Sequence, residues 1–259
     1  MRTHVSYQCR EDAAYLTFAC DEAGKPNTLD QGVLDELAGC IEEVHAASAQ
    51  LRAVIVQSDS DRYFIVGANI NALQTLTPET IIPWVRQGHA VFSQFEALPL
   101  PVIAMVRGYA LGGGLELALA CDLILASRGA KLGQPEANLG LVSGWGGSYR
   151  LPRRVGTARA KELFFTGKVV GAEEAYQLGL VDFVGDDDQL QEHLTSLLEQ
   201  IRRCGPLAIA HMKRLLNNSA TADLERNGLD EAVASSLCLA SEDAQRRVSD
   251  YLQKRARGK

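Results

Sequence analysis

Short apolar segments alternate with helical segments over the first 185 residues, and this alternation restricts the fold more than any other feature of the chain. Four segments are typical of strands: 13–19 (AAYLTFA), 51–58 (LRAVIVQS), 101–106 (PVIAMV) and 122–127 (DLILAS). The segment 29–47 carries apolar residues at helical spacing, and 79–97 is also predicted to be helical. Because strands that alternate with helices form crossover units, the pattern predicts an α/β fold with a mostly parallel sheet.

The strand pattern stops at about residue 186. From there to residue 259 the sequence predicts only helices, and the acidic run at 186–188 should open the first of them. We therefore divide the chain into a core domain, residues 1–185, which should hold the active site, and a helical region, residues 186–259. The apolar faces of these helices must cover the core domain or another subunit.

Charge and cysteine usage argue against several classes of protein. The formal net charge of −6 is unfavourable for a broad nucleic-acid footprint. The six cysteines form no C-x-x-C pair, which argues against a zinc or redox site, and we interpret them as reduced thiols. No apolar run reaches the roughly 18 residues of a membrane-spanning helix, and the N-terminus lacks the apolar core of a secretory signal. We expect a cytoplasmic protein that binds no metal, membrane or nucleic acid.

Three consecutive glycines precede a helical pattern in GYALGGGLELALACD, residues 108–122. A phosphate-binding loop is excluded because Leu115–Glu116 follow the glycines where Lys and Ser or Thr are required. The dinucleotide fingerprint fails because Leu117 occupies its last glycine position. What remains is a strand that runs through a glycine turn into a helix. Such a turn either gives a ligand oxygen access to the N–H groups at the helix start or allows tight packing between strand and helix.

Two further segments extend the pattern: RYFIVGANINAL at 62–73 and KLGQPEANLGLVSGWGGSYRLPRRVG at 131–156. With the glycine turn, they resemble the enoyl-CoA hydratase/isomerase superfamily, the crotonases. That family's signature contains F-x-x-G-A-D, then G-x-x-x-G-G-G-x-E-L-A-x-x-C-D, then Q-P-E and G-x-x-P-G-x-G-G-T-x-R-L. The resemblance covers nearly the whole chain. It implies a crotonase (ClpP-like) fold, a spiral of β-β-α units with an α-helical C-terminal region, assembled as a homotrimer or as a hexamer of two trimers.

The resemblance also implies an active site for an acyl-CoA thioester. The backbone N–H groups of Ala68 and Gly113 would hold the thioester oxygen, in an oxyanion hole. Glu116 would act as a base on water, and Glu136 would deliver a proton to the α-carbon. No separate cofactor is implied, because coenzyme A is part of the substrate. The positions at which the resemblance suggests further substrate contacts are Lys25, Gly67, Ile70, Gly112 and Trp145.

Retention of both glutamates favours an enoyl-CoA hydratase. One alternative is a Δ3,Δ2-enoyl-CoA isomerase, which can work with a single glutamate at the position of Glu136, or another crotonase-type reaction on a thioester. A remote alternative is a non-enzymatic RNA-binding member, which would need a basic helix face. The helix predicted at 30–47 is acidic instead.

Three departures from the family pattern affect the site. Asn69 replaces the common aspartate after Gly-Ala, which should leave the N–H of Ala68 in place. Ser143 replaces the usual proline before Gly144. Trp145 stands where many members have a small residue, and its ring either points inward and shapes the acyl pocket or points outward and packs. We expect it to wall the pocket, because an indole ring is favoured when buried.

Overall fold

The computed structural model of the chain describes residues 2–219 and 224–257. Its strands are β1 (Thr3–Arg10), β2 (Ala13–Cys20), β3 (Ala53–Ser58), β4 (Tyr63–Ile65), β5 (Val102–Val106), β6 (Tyr109–Leu111), β7 (Leu123–Ser127), β8 (Lys131–Gly133), β9 (Val169–Gly171) and β10 (Phe183–Gly185). Its α-helices are α1 (Gln31–Ala47), α2 (Ile70–Gln74), α3 (Ile81–Ala97), α4 (Gly113–Ala120), α5 (Gly147–Val155), α6 (Thr157–Thr166), α7 (Ala172–Gln177), α8 (Asp187–Arg203), α9 (Pro206–Asn218), α10 (Leu224–Ala240) and α11 (Glu242–Arg257). A 3-10 helix spans Pro135–Leu139.

The larger sheet has six strands in the order β1-β2-β3-β5-β7-β10. Strands β1 and β2 pair antiparallel, and every other neighbouring pair in this sheet is parallel. Strand β3 is buried on both faces, because Val54 and Val56 belong to the main core while Ala53 and Ile55 face a second apolar cluster. This two-sided burial explains why the central strands are continuous apolar runs.

The smaller sheet has four strands in the order β4-β6-β8-β9. Strands β4, β6 and β8 are parallel to one another, and β9 is antiparallel to β8. Successive strands from β3 to β8 alternate between the two sheets, and helices follow each pair. The chain thus forms a spiral of β-β-α units, which confirms the expected fold class. The expectation of a mostly parallel sheet is confirmed by the larger sheet, and the strand pattern did not predict the second sheet, whose strands are only three residues long.

The first helix after the core segments packs on the outer face of the larger sheet. Leu190, Leu194 and Leu198 of α8 recur at helical spacing and join the second apolar cluster, beside Ile55 and Ile103. The backbone N–H of Asp186 donates to Oε1 of Gln189, and Asp187 and Asp188 lie in the first turn of α8. These acidic side chains suit the positive end of the helix dipole.

A buried lysine fixes the next helix, α9, to the core. The Nζ of Lys213 donates to the carbonyl oxygens of Phe95 at 2.7 Å and Leu100 at 2.9 Å, and it pairs with Asp122 at 2.7 Å. Within residues 2–219 and 224–257, no strand follows β10. The division into a core domain and a helical region at 185/186 stays a prediction, as does the role of the helices in assembly.

Candidate active site

A cavity of about 140 Å³ lies where the glycine turn, the segment after β4 and the 3-10 helix meet. Eight of the nine predicted site residues line it: Gly67, Ala68, Ile70, Gly112, Gly113, Glu116, Glu136 and Trp145. The remaining lining is mostly apolar and includes Leu73, Trp84 and Val85. Segments about 70 residues apart in the sequence therefore form one pocket.

The ninth predicted residue, Lys25, lies outside this cavity. Its side chain is exposed, and its backbone N–H donates to the carbonyl of Glu22 in a turn. A contact between Lys25 and the phosphate-bearing end of a coenzyme A substrate therefore stays a prediction.

Each glycine of the triplet has its own reason to lack a side chain. Gly112 adopts φ 51°, a conformation that favours glycine. A Cβ on Gly113 would lie 2.5 Å from the Trp145 ring, and one on Gly114 would lie 2.0 Å from the carbonyl oxygen of Ile65. Gly113 and Gly114 are therefore required for tight packing. This packing is compatible with access of a ligand oxygen to the helix start, so the two interpretations of the glycines do not exclude each other.

The two predicted oxyanion donors lie on neighbouring segments. Gly113 is the first residue of α4, so its N–H has no acceptor within the helix. Gly67, which precedes Ala68, approaches the same turn: a Cβ on Gly67 would lie 3.7 Å from the backbone nitrogen of Gly113. Asn69 caps α2, its Oδ1 accepting from the N–H groups of Asn71 and Ala72. The side-chain oxygen of Asn69 thus caps the helix in the same way as the oxygen of the aspartate that is common at this position in the family.

Glu116 lies one turn into α4 and is only 2% exposed. Its Oε1 accepts the backbone N–H groups of Trp145 and Gly147, both at 2.8 Å. Burial raises the pKa of Glu116 to about 7, and the nearby charge of Glu136 raises it as well, while the two backbone N–H groups and Arg150 oppose the shift. Glu116 can therefore exchange a proton near neutral pH.

Glu136 lies in the 3-10 helix with its carboxylate over the glycine turn. A Cβ on Gly112 would lie 3.1 Å from Glu136 Oε1. Burial raises the pKa of Glu136, while its own backbone N–H group and, to a lesser extent, the nearby Ser143 hydroxyl oppose the shift. The two carboxylates thus share one pocket, and their surroundings favour protonation of each.

The Trp145 ring points inward. It is 3% exposed and packs edge-to-face against Trp84, with ring centroids 5.0 Å apart, and against Phe92 at 5.8 Å. Two glycines make room for it, because a Cβ on Gly88 of α3 would lie 2.3 Å from the indole and Gly113 limits the other side. The indole is therefore part of the pocket wall.

Arg150 of α5 supports the same loop from behind. It is 2% exposed, donates to the carbonyl of Trp145 at 2.8 Å and pairs with Glu96 of α3 at 2.7 Å. The backbone of Trp145 is thereby held on both sides, by Glu116 at its N–H and by Arg150 at its carbonyl.

Sequence reasoning missed Gly88, Gln134 and Arg150. A lone glycine in a helical pattern carries no chemical signature, whereas Gln134 belongs to the Q-P-E motif at 134–136, which could have identified it. Arg150 belongs to the final family motif, which could have identified it as a site residue. No cluster of three or more His, Cys, Asp or Glu suited to a metal occurs among residues 2–219 and 224–257. In the same ranges, no helix has both the length and the apolar composition needed to cross a bilayer.

Comparisons with known proteins agree with this geometry. The family model described as Enoyl-CoA hydratase/isomerase matches residues 13–257. The chain is 37% identical over 229 residues to a crotonyl-CoA hydratase of Syntrophomonas wolfei, covering 88% of each chain. It is 34% identical to a short-chain-enoyl-CoA hydratase of Clostridium acetobutylicum, covering 88% of this chain and 87% of the relative.

Solved structures give the same result. The crystal structure of an enoyl-CoA hydratase from Bacillus anthracis superposes with a TM-score of 0.87 and 31% identity, covering 98% of this chain and 97% of that one. The chain therefore belongs to the enoyl-CoA hydratase/isomerase family.

Proposed function

We propose that this enzyme, an enoyl-CoA hydratase, adds water reversibly to an α,β-unsaturated acyl-CoA thioester by means of Glu116 and Glu136. The observation that carries the proposal is the presence of two carboxyl groups with raised pKa, the buried Glu116 and the half-buried Glu136, in one apolar pocket beside a helix start. The hydratase names of the relatives from Syntrophomonas wolfei and Clostridium acetobutylicum support it.

The reaction begins with polarisation of the thioester. Its carbonyl oxygen accepts hydrogen bonds from the N–H groups of Ala68 and Gly113, which makes the β-carbon electrophilic. Water adds to the β-carbon while Glu116 removes a proton from it. The electron pair of the carbon–carbon double bond moves towards the thioester oxygen, giving enolate character that the two N–H groups stabilise. Glu136 then gives its proton to the α-carbon, and dehydration reverses each step.

The surroundings of Glu116 suit the role of a base. Both backbone N–H groups reach Oε1, which fixes the carboxylate and lets us assign Oε2 to the water. A pKa of about 7 leaves a substantial ionised fraction at neutral pH while keeping the group basic enough to accept a proton. Hydration starts from ionised Glu116 and protonated Glu136, and repulsion between like charges in an apolar pocket disfavours the state in which both groups are ionised.

The pocket favours a short acyl group. Its volume is about 140 Å³, and the indole of Trp145 closes part of it against the glycine turn. We assign the acyl contacts to Ile70 and Trp145, and contacts near the thioester to Gly67 and Gly112. Lys25 is assigned to the phosphates of coenzyme A, outside the acyl cavity.

We also propose a homotrimer or a hexamer of two trimers, in a cytoplasmic location. Large apolar side chains are exposed on the C-terminal helices, among them Leu216, Leu229 and Leu239, and a second copy would cover such side chains. All six cysteines are free, which suits a reducing compartment.

The test is a substrate panel followed at the absorbance band of the enoyl thioester. Linear 2-enoyl-CoA substrates of increasing length, a branched one and a cyclic one should lose this band, and mass spectrometry should show the gain of one water. We expect the shortest linear substrate to give the highest kcat/KM. Conversion of a 3-enoyl-CoA to its 2-enoyl isomer, without hydration of any 2-enoyl-CoA, would instead favour the isomerase.

A further inference from the structure

A cavity of about 470 Å³ lies beside the candidate pocket, between the start of α1, α2 and the first turns of α3. Its lining includes Gln31 of α1, Ala72 of α2 and Thr80, which directly precedes α3. We call it the neighbouring cavity. Among the residues that the structure describes, only Trp84 lines both the neighbouring cavity and the candidate pocket of about 140 Å³. The two spaces therefore meet at one residue.

The spacing along α3 explains why Trp84 is shared. Thr80 and Gln87 line the neighbouring cavity, whereas Ile81 and Val85 line the candidate pocket. Residues three or four apart lie on the same face of a helix. Trp84 is four residues from Thr80 and three from Gln87, and it is three residues from Ile81 and next to Val85. Its position therefore belongs to both faces of the helix.

The indole of Trp84 is a large buried group at this boundary. It packs edge-to-face against the indole of Trp145, with ring centroids 5.0 Å apart. Trp145 lies against the glycine turn and lines only the candidate pocket of these two cavities. Removal of Trp145 would thus enlarge the candidate pocket itself, whereas removal of Trp84 would connect it to the neighbouring cavity.

Hydrogen bonds hold the helices that enclose the neighbouring cavity. Nε2 of Gln87 donates to Oδ1 of Asp35 at 2.7 Å, which links α3 to α1. The backbone N–H of Thr77 donates to Oγ1 of Thr80 at 2.7 Å, which fixes the turn that leads into α3. Because these contacts do not involve the indole, we expect the cavity walls to stay in place when the side chain at position 84 is shortened.

We propose that Trp84 determines specificity for acyl-chain length, because its indole closes the candidate pocket against the neighbouring cavity. The inference rests on the proposed function, in which the acyl group of the thioester lies in the candidate pocket. A linear acyl chain that outgrows this pocket at Trp84 would have to pass through the space that the indole fills. A smaller side chain at position 84 therefore admits longer acyl groups, whose ends enter the neighbouring cavity.

The test measures kcat/KM for 2-decenoyl-CoA and crotonyl-CoA in Trp84→Leu and in the unchanged enzyme. We expect Trp84→Leu to raise the ratio of the two values by about 10-fold or more, the scale on which an apolar pocket discriminates between acyl groups. Ile82→Ala is the control, because Ile82 lies on the same helix but is exposed and lines neither cavity. It should leave the ratio unchanged.

A second substitution shows where the longer chain lies. Ala72 lines the neighbouring cavity and not the candidate pocket, so Ala72→Leu adds bulk to the neighbouring cavity alone. In a Trp84→Leu background it should reverse the gain for 2-decenoyl-CoA. In a Trp145→Ala background it should leave the length preference as it was, because that variant does not connect the cavities.

Two results would overturn the proposal. One is a folded Trp84→Leu enzyme whose ratio matches that of the unchanged enzyme. The other is a gain that Ala72→Leu does not reduce, because the acyl chain then lies elsewhere. Circular dichroism and the melting temperature check the fold. If Trp84→Leu does not fold, Trp84→Phe replaces it, and we expect a smaller gain in the same direction.

A binding measurement keeps the boundary at Trp84 separate from the reaction. Decanoyl-CoA and butyryl-CoA lack the double bond and cannot be hydrated, so calorimetry gives their Kd values without turnover. If no enoyl-CoA is hydrated but Trp84→Leu binds decanoyl-CoA about 10-fold more tightly relative to butyryl-CoA, the proposed function fails and the role of Trp84 stands. If hydration proceeds and the ratio of Kd values is the same in both proteins, the role of Trp84 fails and the function stands.

Discussion

The carboxyl group of Glu116 is held in a place that is costly for its charge. Only backbone N–H groups and the more distant Arg150 compensate for the loss of water around it. The pKa of about 7, compared with an ordinary value of 4.5, measures the imbalance between these effects. The reactivity that the proposed mechanism needs from this residue is therefore linked to a loss of stability.

This link predicts a specific pH dependence of the free energy of unfolding. Between pH 4.5 and 7 the folded protein binds more protons at Glu116 than the unfolded chain does, so Glu116 makes stability fall as pH rises. Glu116→Gln removes this contribution. We expect the variant to gain up to about 3 kcal/mol relative to the unchanged protein between pH 4.5 and 8. Denaturant unfolding at a series of pH values measures it, and parallel stability curves for the two proteins would contradict the shift.

The sequence could identify both glutamates but not their surroundings. Glu116 and Glu136 lie in long, ordered motifs, so the resemblance located them directly. The backbone N–H groups that bind the Glu116 carboxylate, and so limit the rise in its pKa, come from Trp145 and Gly147, about 30 residues further along the chain. No local pattern reports such contacts.

At the level of elements, the wall of the candidate pocket depends on the packing of three helices around one indole. Gly88 of α3 and Gly113 of α4 flank the ring, and Arg150 of α5 holds the backbone that carries it. The pocket wall is thus assembled from segments that are distant in sequence.

Removal of the indole should change chain-length preference. We expect Trp145→Ala to raise kcat/KM for an enoyl-CoA of ten or more carbons relative to crotonyl-CoA by about 10–200-fold, because an apolar pocket discriminates by only about 1–3 kcal/mol per methylene-sized change. The measurement is kcat/KM across a chain-length series for both proteins. A lower melting temperature with an unchanged length profile would show that Trp145 serves packing alone.

Addition of one methyl group to α3 should disturb the same wall from the other side. The new Cβ in Gly88→Ala would lie 2.3 Å from the indole, so the ring must move, and we expect a loss of about 1–3 kcal/mol in the free energy of unfolding. Gly39→Ala in α1 is the matched control. A Cβ there meets no atom within 4 Å, so the substitution should stabilise the helix by up to about 1 kcal/mol.

A double substitution checks that the indole causes the effect. In a Trp145→Ala background, Gly88→Ala should no longer be destabilising, because the atoms it would meet are gone. An equal loss in both backgrounds would exclude the ring as the cause.

Elements were predictable where their apolar residues form a continuous run or a regular helical spacing. The predicted segments 13–19, 29–47 and 79–97 match β2, α1 and α3 to within a few residues. The strands of the second sheet are three residues long, too short for an alternating pattern to develop. Strand β1 was also missed, although it is eight residues long, because its side chains are mostly polar or partly exposed.

For the whole molecule, the attachment of the C-terminal helices to the core depends on a buried lysine that pairs with a half-buried aspartate. Lys213 of α9 reaches Asp122 and two core carbonyl groups, while α8 covers the larger sheet. The sequence predicted that the C-terminal helices cover the core domain or another subunit. It did not predict the burial of Lys213 on α9, because lysine side chains are ordinarily exposed.

Replacement of this lysine should weaken the attachment. We expect Lys213→Met to lower the free energy of unfolding by about 3–5 kcal/mol, because Asp122 and the two carbonyl groups lose a buried partner. Lys161→Met, at an exposed position of α6, should change it by less than about 0.5 kcal/mol. Chemical denaturation of both variants makes the comparison, and equal stabilities would show that the ion pair does not anchor α9.

The proposed reaction divides its two proton transfers between the carboxyl groups of Glu116 and Glu136. The most direct test is the rate at which crotonyl-CoA loses its enoyl-thioester absorbance in the unchanged enzyme, Glu116→Gln and Glu136→Gln, with circular dichroism as the check on folding. We predict that each variant folds and that each loses roughly 10²-fold or more in kcat, the scale expected for a positioned acid or base. A folded Glu116→Gln enzyme that hydrates crotonyl-CoA at a rate near that of the unchanged enzyme would contradict the two-glutamate mechanism.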